Sequence, residues 1–115
     1  MGNSNLGDLA DSTAADEILL RGLIGGDAAA AEAIITHMGS TSSVAVLVAG
    51  GVLTRDTAPL ARAADLASTA RDRQLVVLGR THLEGPADLF DALVRDHLAS
   101  YPDHLVAAWL AGHRL

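Results

Sequence analysis

Histidine is the residue type in this chain best suited to chemistry, because imidazole binds metal ions and exchanges protons near neutral pH. Four of the five histidines lie in the last third of the chain, at His82, His97, His104 and His113. His97 and His104 can approach each other across a turn at Tyr101–Pro102. No two histidines are four residues apart, and the H-E-x-x-H motif of zinc enzymes is missing. We therefore expect no metal site and no cofactor.

The other side chains that could catalyse a reaction are better explained by helix starts. The hydroxyl-rich run 40–43 lacks the G-x-S-x-G motif of a serine nucleophile. Asp88 and Asp91 fall in the first turn of a predicted helix, where negative charge is favourable. The chain has no cysteine, which excludes thiolate catalysis and disulfide bonds. We predict that the protein is not an enzyme.

Charge and hydropathy limit the classes of partner. The formal net charge is −6, with no lysine and eight scattered arginines, so no basic stripe exists to neutralise a nucleic acid backbone. The longest apolar run, 44–53, is far shorter than the roughly 20 residues that cross a bilayer. The first 15 residues lack the pattern of a secretory signal. We expect a cytoplasmic protein that binds neither nucleic acid nor membrane.

Abundant alanine and leucine favour helices, and polar or proline residues mark their starts. Residues 1–11 are rich in glycine, asparagine and aspartate and predict a flexible N-terminal arm, whereas residues 12–115 predict a single domain. About seven helices are predicted, with starts at Thr13, Asp27, Ser42 or Ser43, Asp56 with Pro59, Asp72, Pro86 and Asp103. Their predicted ends are at Gly25–Gly26, Gly39, Gly85 and Pro102, with Gly39 in a left-handed conformation.

A short pattern recurs four times, in which two large apolar residues are followed by one further residue and then a glycine. Its glycines, Gly22, Gly50, Gly79 and Gly112, are 28, 29 and 33 residues apart. Such spacing suits stacked antiparallel helix hairpins, in which a small residue lies where two helices come close. The leading prediction is therefore an all-α fold.

Two apolar segments also fit an α/β alternative. Val44–Val48 and Leu75–Leu78 resemble buried parallel strands that run into glycine turns, which gives a three-layer α/β arrangement from residue 43 onward. A small nucleotide- or ligand-binding domain would use the turns after Val48 and Leu78. However, neither a G-x-G-x-x-G motif nor a phosphate-binding lysine is present, and the apolar positions continue at helical steps to Leu83. Helices remain the better interpretation.

Residues 72–102 resemble a tetratricopeptide repeat. Gly79 matches the small position, Leu75 and Leu78 match the two large apolar positions before it, and His82 matches the usual aromatic position. Pro102 lies one residue early for the proline that ends the repeat, Phe90 or Asp91 occupies a usually small position, and the periods are shorter than in the family. The chain thus resembles a degenerate tetratricopeptide-like helical repeat.

This resemblance implies a non-catalytic module for protein association. Members of the family are scaffolds that bind peptides or partner proteins on a concave face formed by the first helix of each pair. The corresponding candidates in this sequence are Arg73, Val76, Arg80 and Glu84. The alternative is that these polar residues only solvate an exposed helix face.

The last predicted helix carries Trp109 and Leu110 and has no following helix to cover it. Because the ends of a solenoid need polar caps, this helix should fold back, form a homo-oligomer or bind a partner protein. Trp109 and Leu110 are therefore further candidates for partner binding. A remnant of a longer repeat protein, with no independent role, is a third interpretation of the whole chain.

Overall fold

The computed structural model describes residues 17–112, and within them the chain is all α-helical. Helix α1 covers residues 17–24 of the described part. The others are α2 (Ala28–His37), α3 (Val44–Thr54), α4 (Ala58–Leu66), α5 (Ala70–Glu84), α6 (Ala87–Ser100) and α7 (Leu105–Gly112). The predicted start at Thr13 and the predicted arm, residues 1–11, lie outside the described residues. The predicted all-α fold with about seven stacked helices is confirmed.

Side-chain caps begin three of these helices. The Asp27 carboxylate accepts a hydrogen bond of 2.9 Å from the backbone N–H of Ala29, and the Ser43 hydroxyl accepts one of 3.3 Å from Val46. Thr69, rather than the predicted Asp72, begins α5 by accepting from the N–H of Asp72 at 3.1 Å. Each cap satisfies an N–H group that the helix itself leaves without a partner.

Two predicted helix boundaries are wrong in detail. Asp103 does not stand directly before α7; His104 does, and its carbonyl accepts the first helical hydrogen bond, from Ala108. Gly39 does not adopt a left-handed conformation, since among the described residues positive φ occurs at Gly26 and Arg55. After Met38 the loop is held instead by a side chain from another helix.

Arg62 on α4 holds the loop between α2 and α3. Its guanidinium donates to the carbonyl oxygens of Met38 and Gly39 at 3.2 Å each and to that of Thr41 at 2.8 Å. These carbonyls follow the end of α2, where backbone acceptors lack helical partners. One long-range side chain thus replaces the local glycine cap that the sequence suggested.

Helix α3 lies at the centre of the fold. It packs against α2, α4, α5 and α7, and eight of its eleven residues are buried. A helix that is apolar on every side must be covered on every side, and its neighbours provide that cover. Helix α5 is the second hub and packs against α3, α4, α6 and α7, so the helices stack both as consecutive hairpins and through alternate members α3, α5 and α7.

The α/β alternative is wrong, because both candidate strands lie inside helices. Val44–Val48 belongs to α3 and Leu75–Leu78 belongs to α5, and no strand occurs within residues 17–112. The valines of α3 are surrounded by other helices, so burial outweighs their intrinsic preference for strands. The helices continue past Val48 and Leu78, so the turns that a nucleotide site would need there are missing.

Three of the four recurring glycines lie at close contacts. A Cβ atom added to Gly79 would lie 2.8 Å from a Val48 methyl carbon, one added to Gly50 would lie 2.7 Å from the Met38 sulfur, and one added to Gly22 would lie 2.8 Å from the Cβ of Ala30. Gly112 differs, since nothing lies within 4 Å of such a Cβ. The first three glycines therefore permit close packing between elements.

Between residues 17 and 112, none of the helices combines the length and the apolar composition that a bilayer-spanning segment requires.

Candidate functional site

A groove between α4 and α5 brings together several of the predicted partner-binding residues. It has a volume of about 270 Å³ and is partly open to solvent. We call it the α4–α5 groove and define it by six lining residues: Ala64, Ala67, Arg73, Val76, Val77 and Arg80. Its volume is below the range of roughly 300–1,000 Å³ that is usual for small-molecule sites. It therefore suits one or two side chains of a partner better than a whole small ligand.

The helical period of α5 gives the groove an apolar surface between two cations. Arg73 and Arg80 are seven residues apart, which places them on the same face about two turns from each other. Val76 and Val77 lie between them; Val76 is buried, whereas Val77 is 51% exposed. The small side chains of Ala64 on α4 and of Ala67, which directly follows α4, leave this surface uncovered.

The two guanidinium groups give the groove local positive charge in an acidic chain. Arg73 makes one long hydrogen bond of 3.4 Å to the carbonyl oxygen of Ser68. A guanidinium has five N–H donors, so most of the donors of Arg73 are not used by that bond. The groove can therefore offer an apolar contact and carboxylate-binding groups at the same time.

Of the four α5 candidates that the resemblance supplied, Arg73, Val76 and Arg80 line this groove and Glu84 does not. Glu84 is an exposed residue at the last position of α5. Val77 also lines the groove and was not among the candidates from the sequence. The sequence signal that could have identified Val77 as a lining residue is a large apolar side chain on α5 beside an alanine-rich neighbouring helix.

Trp109 and Leu110 lie in the core instead of on a free face. Trp109 is 9% exposed and Leu110 is fully buried, and α7 packs against α3, α5 and α6. Of the three outcomes expected for the last helix, the structure shows that it folds back onto the chain. Because internal contacts bury these two side chains, they do not contribute to an exposed partner surface.

A second candidate site is a cluster of polar side chains from α5, α6 and the start of α7, in which two histidines are buried and a glutamine is exposed. Nε2 of His97 and Nδ1 of His104 are 2.6 Å apart, and Nδ1 of His97 is 2.8 Å from Oε1 of Gln74. His97 is 2% exposed and His104 is 4% exposed. The predicted approach of the two histidines across the turn at Tyr101 is therefore seen, although Gln74 was not anticipated. We call these three residues the histidine cluster.

Burial and positive charge keep both histidines neutral at pH 7. Burial is the main reason that the pKa of His97 is lowered, Arg71 lowers it further, and Asp96 partly opposes the shift. Burial, Arg71 and His97 together lower the pKa of His104 to about 4. A neutral imidazole has one N–H donor and one acceptor nitrogen, which is what a chain of hydrogen bonds through two rings requires.

Comparison with known proteins adds no further constraint. No family model, curated protein or solved structure matches the chain.

The remaining polar groups do not assemble into a metal centre in the part of the chain that the structure describes. Between residues 17 and 112, no three histidine, aspartate or glutamate side chains are grouped so that they could hold an ion. His82, which matches the aromatic position of the resembled repeat, packs edge-on against the ring of Phe90 at a centroid distance of 5.0 Å. Its surroundings are those of a packing residue.

Proposed function

We propose that this protein is a non-catalytic association module of the tetratricopeptide-like helical-repeat type, acting in the cytoplasm, and that its α4–α5 groove binds a short segment of a partner protein. The observation that carries the proposal is the half-exposed Val77 between Arg73 and Arg80. The resemblance of residues 72–102 to a tetratricopeptide repeat supports the same surface from the sequence.

The chemistry of the groove defines the partner segment. An apolar side chain can cover Val77 and fill the space beside the alanines of α4, and carboxylates on either side of it can bind Arg73 and Arg80. The protein as a whole has a net charge of −6, so an acidic segment is attracted to this groove and repelled elsewhere. We infer a peptide in which an aliphatic or aromatic residue is flanked by aspartate or glutamate.

The size of the groove sets the expected affinity. Covering a half-exposed valine contributes on the order of 1 kcal/mol. Each exposed arginine–carboxylate pair contributes about 0.2–1 kcal/mol, and association has an entropic cost that offsets part of this. These contributions total less than the roughly 4 kcal/mol that corresponds to a Kd of 1 mM, so binding should be weak, with a Kd of about 1 mM or higher, and it should weaken as salt is added.

The test is a peptide-display selection of random 12-residue peptides on the immobilised full chain, followed by titration of the enriched peptides. We expect enrichment of acidic peptides that contain one large apolar residue. The change Val77→Asp should abolish their binding, and Arg80→Glu should weaken it at least tenfold. The matched control is Arg95→Glu, because it makes the same charge change on the exposed face of α6.

Two results would overturn this function. Enriched peptides could lack acidic residues, or they could bind Arg80→Glu and Arg95→Glu equally well; in either case the groove would not be the binding surface. If no peptide is enriched and the mass of the chain instead rises with its concentration in a manner that Val77→Asp abolishes, the groove joins copies of this chain and the heterologous partner is wrong.

A further inference from the structure

The histidine cluster connects the last helix to the rest of the fold. Gln74 belongs to α5, His97 to the last turn of α6, and His104 stands immediately before α7. The two hydrogen bonds therefore join three elements, and the bond between the histidines is buried. Tyr101, in the turn between α6 and α7, packs its ring on that of His97 at 4.9 Å. This is independent of the α4–α5 groove and of its proposed function.

The hydrogen bond between the two rings can contain one hydrogen only, because one of the two facing nitrogens must act as the acceptor. Because Oε1 of Gln74 accepts, Nδ1 of His97 carries a hydrogen, and the neutral His97 then accepts at Nε2 from Nδ1–H of His104. If one proton is added to the pair, Nε2 of His97 can carry the bridging hydrogen and Nδ1 of His104 can accept it. The neutral His104 then carries its one hydrogen at Nε2, and the bond remains. If a second is added, both facing nitrogens carry hydrogens at 2.6 Å and the bond cannot exist.

The surroundings decide which histidine is charged first. His97 is in the last turn of α6, where the helix dipole favours a cation, and Asp96 is its sequence neighbour. His104 is at the N-terminal end of α7, where the dipole opposes a cation, and Arg71 opposes it as well. His97 therefore accepts the first proton, and the second proton, on His104, is the one that breaks the bond.

Few other charged groups act on the pair. Arg71 on α5 and Asp96 on α6 act on the pair through their charges, and Tyr101 of the connecting turn is in ring contact with His97. The same turn contains Asp103, which directly precedes His104. The other two elements in contact with the end of the fold, α3 (Val44–Thr54) and α7 (Leu105–Gly112), have no titratable side chain. Nothing on those two helices can neutralise a second positive charge.

We propose that the histidine cluster is an acid-sensitive latch: double protonation of His97 and His104 breaks their hydrogen bond and releases α7 from α3, α5 and α6. Release exposes the side chains that α7 buries, among them Trp109 and Leu110. The released helix is short and terminal among the described elements, so it can open as a local unit while the other helices stay folded. The exposed α7 is then an acid-dependent apolar surface.

The chain contains its own reporter for this event, because its one tryptophan, Trp109, is buried on α7. We would titrate the full chain from pH 7.5 to pH 2.5 and record tryptophan emission and far-ultraviolet circular dichroism together. We expect the emission to shift to the red below about pH 5. The loss of helical signal should not exceed the share of the eight residues of α7.

Variants assign the event to the cluster. His104→Gln removes the second titrating ring but keeps a polar group, and it should move the emission midpoint down by more than one pH unit. His37→Gln is the matched control, because His37 is an exposed histidine on α2, and it should leave the midpoint unchanged. Ring ¹⁵N shifts of the unmodified chain should show His97 charging before His104.

Three outcomes would overturn the latch. The emission could stay constant to pH 2.5. Emission and helicity could be lost together at a midpoint that His104→Gln does not move. Finally, the ring ¹⁵N shifts could show both histidines titrating independently near pH 6.5, and this measurement decides the question even if His104→Gln fails to fold.

Discussion

At the scale of single residues, identical side chains have different properties because different atoms surround them. His37 is exposed on α2, His82 packs on Phe90, and His97 and His104 are buried together in a hydrogen bond. The sequence places His97 and His104 seven residues apart on either side of a proline turn, so their approach could be predicted. The contribution of Gln74 could not, because it depends on how α5 packs against α6.

The lowered pKa of His104 makes stability depend on pH. Its pKa is about 4 in the folded protein and near 6.5 in the unfolded chain, so between these values the unfolded state binds more protons. The stabilisation is complete above pH 6.5 and is lost as the pH falls towards 4. From His104 alone we expect the free energy of unfolding, measured with urea, to be about 2 kcal/mol lower at pH 5 than at pH 7.5.

The comparison needs a variant that lacks the buried ring. In His104→Gln the difference between pH 5 and pH 7.5 should shrink by most of this amount, whereas His37→Gln should retain it. Equal pH dependence in both variants would show that His104 is not the residue responsible.

At the scale of helices, local chemistry predicted several starts, whereas tertiary packing decided how the chain continues after α2. Asp27 and Ser43 cap α2 and α3 as expected, since an N-cap needs only a side-chain oxygen and the backbone that follows it. Gly39 failed as a left-handed cap because Arg62, more than twenty residues away, binds the carbonyls of that loop. Likewise, the pattern of α5 was enough to name three of the residues that line the groove. The depth of the groove also depends on α4, and the pattern of α5 carries no information about how α4 packs beside it.

The close contact between α3 and α5 predicts an effect of substituting Gly79. A Cβ at this position would lie 2.8 Å from a methyl carbon of Val48, a fully buried and β-branched residue that cannot easily move. Overpacking costs about 1–3 kcal/mol, which outweighs the gain of up to roughly 1 kcal/mol in helix propensity. We expect Gly79→Ala to lower the free energy of unfolding, as measured by urea denaturation.

Gly112→Ala is the matched control for this prediction. Nothing lies within 4 Å of the Cβ it would add, so the same chemical change should be neutral or slightly stabilising. If Gly79→Ala were as stable as Gly112→Ala, the packing of α5 on α3 would be looser than the structure shows.

At the scale of the whole molecule, the fold is organised around α3 rather than as a simple row of hairpins. Helices before it and after it in the chain, including the distant α7, cover it together. The sequence indicated helices and their approximate bounds, but it gave no reason to choose α3 as the centre over the equally apolar α7. That choice follows from position in the chain, because α3 has elements on both sides of it that can reach its surface.

Local stability should follow this arrangement, and native-state hydrogen exchange can measure it. We expect the slowest amides in α3, where eight of eleven residues are buried, and much faster exchange in α2, where Ala30 and Ile34 are the buried residues. The difference in opening free energy should be at least 2 kcal/mol, or roughly thirtyfold in exchange rate at pH 7.5. Equal protection of the two helices would contradict the central role of α3.

The central position of α3 also has a consequence for how the protein is made. During synthesis α3 leaves the ribosome roughly fifty residues before the start of α7, which is one of the helices that cover it. At typical rates of about 5–20 residues per second, several seconds pass before all the helices that cover α3 have been synthesised. During that interval the nascent chain exposes an apolar segment that can associate with other chains. Correct folding is therefore favoured if neighbouring chains meet slowly, or if a chaperone covers α3 until α7 has been synthesised.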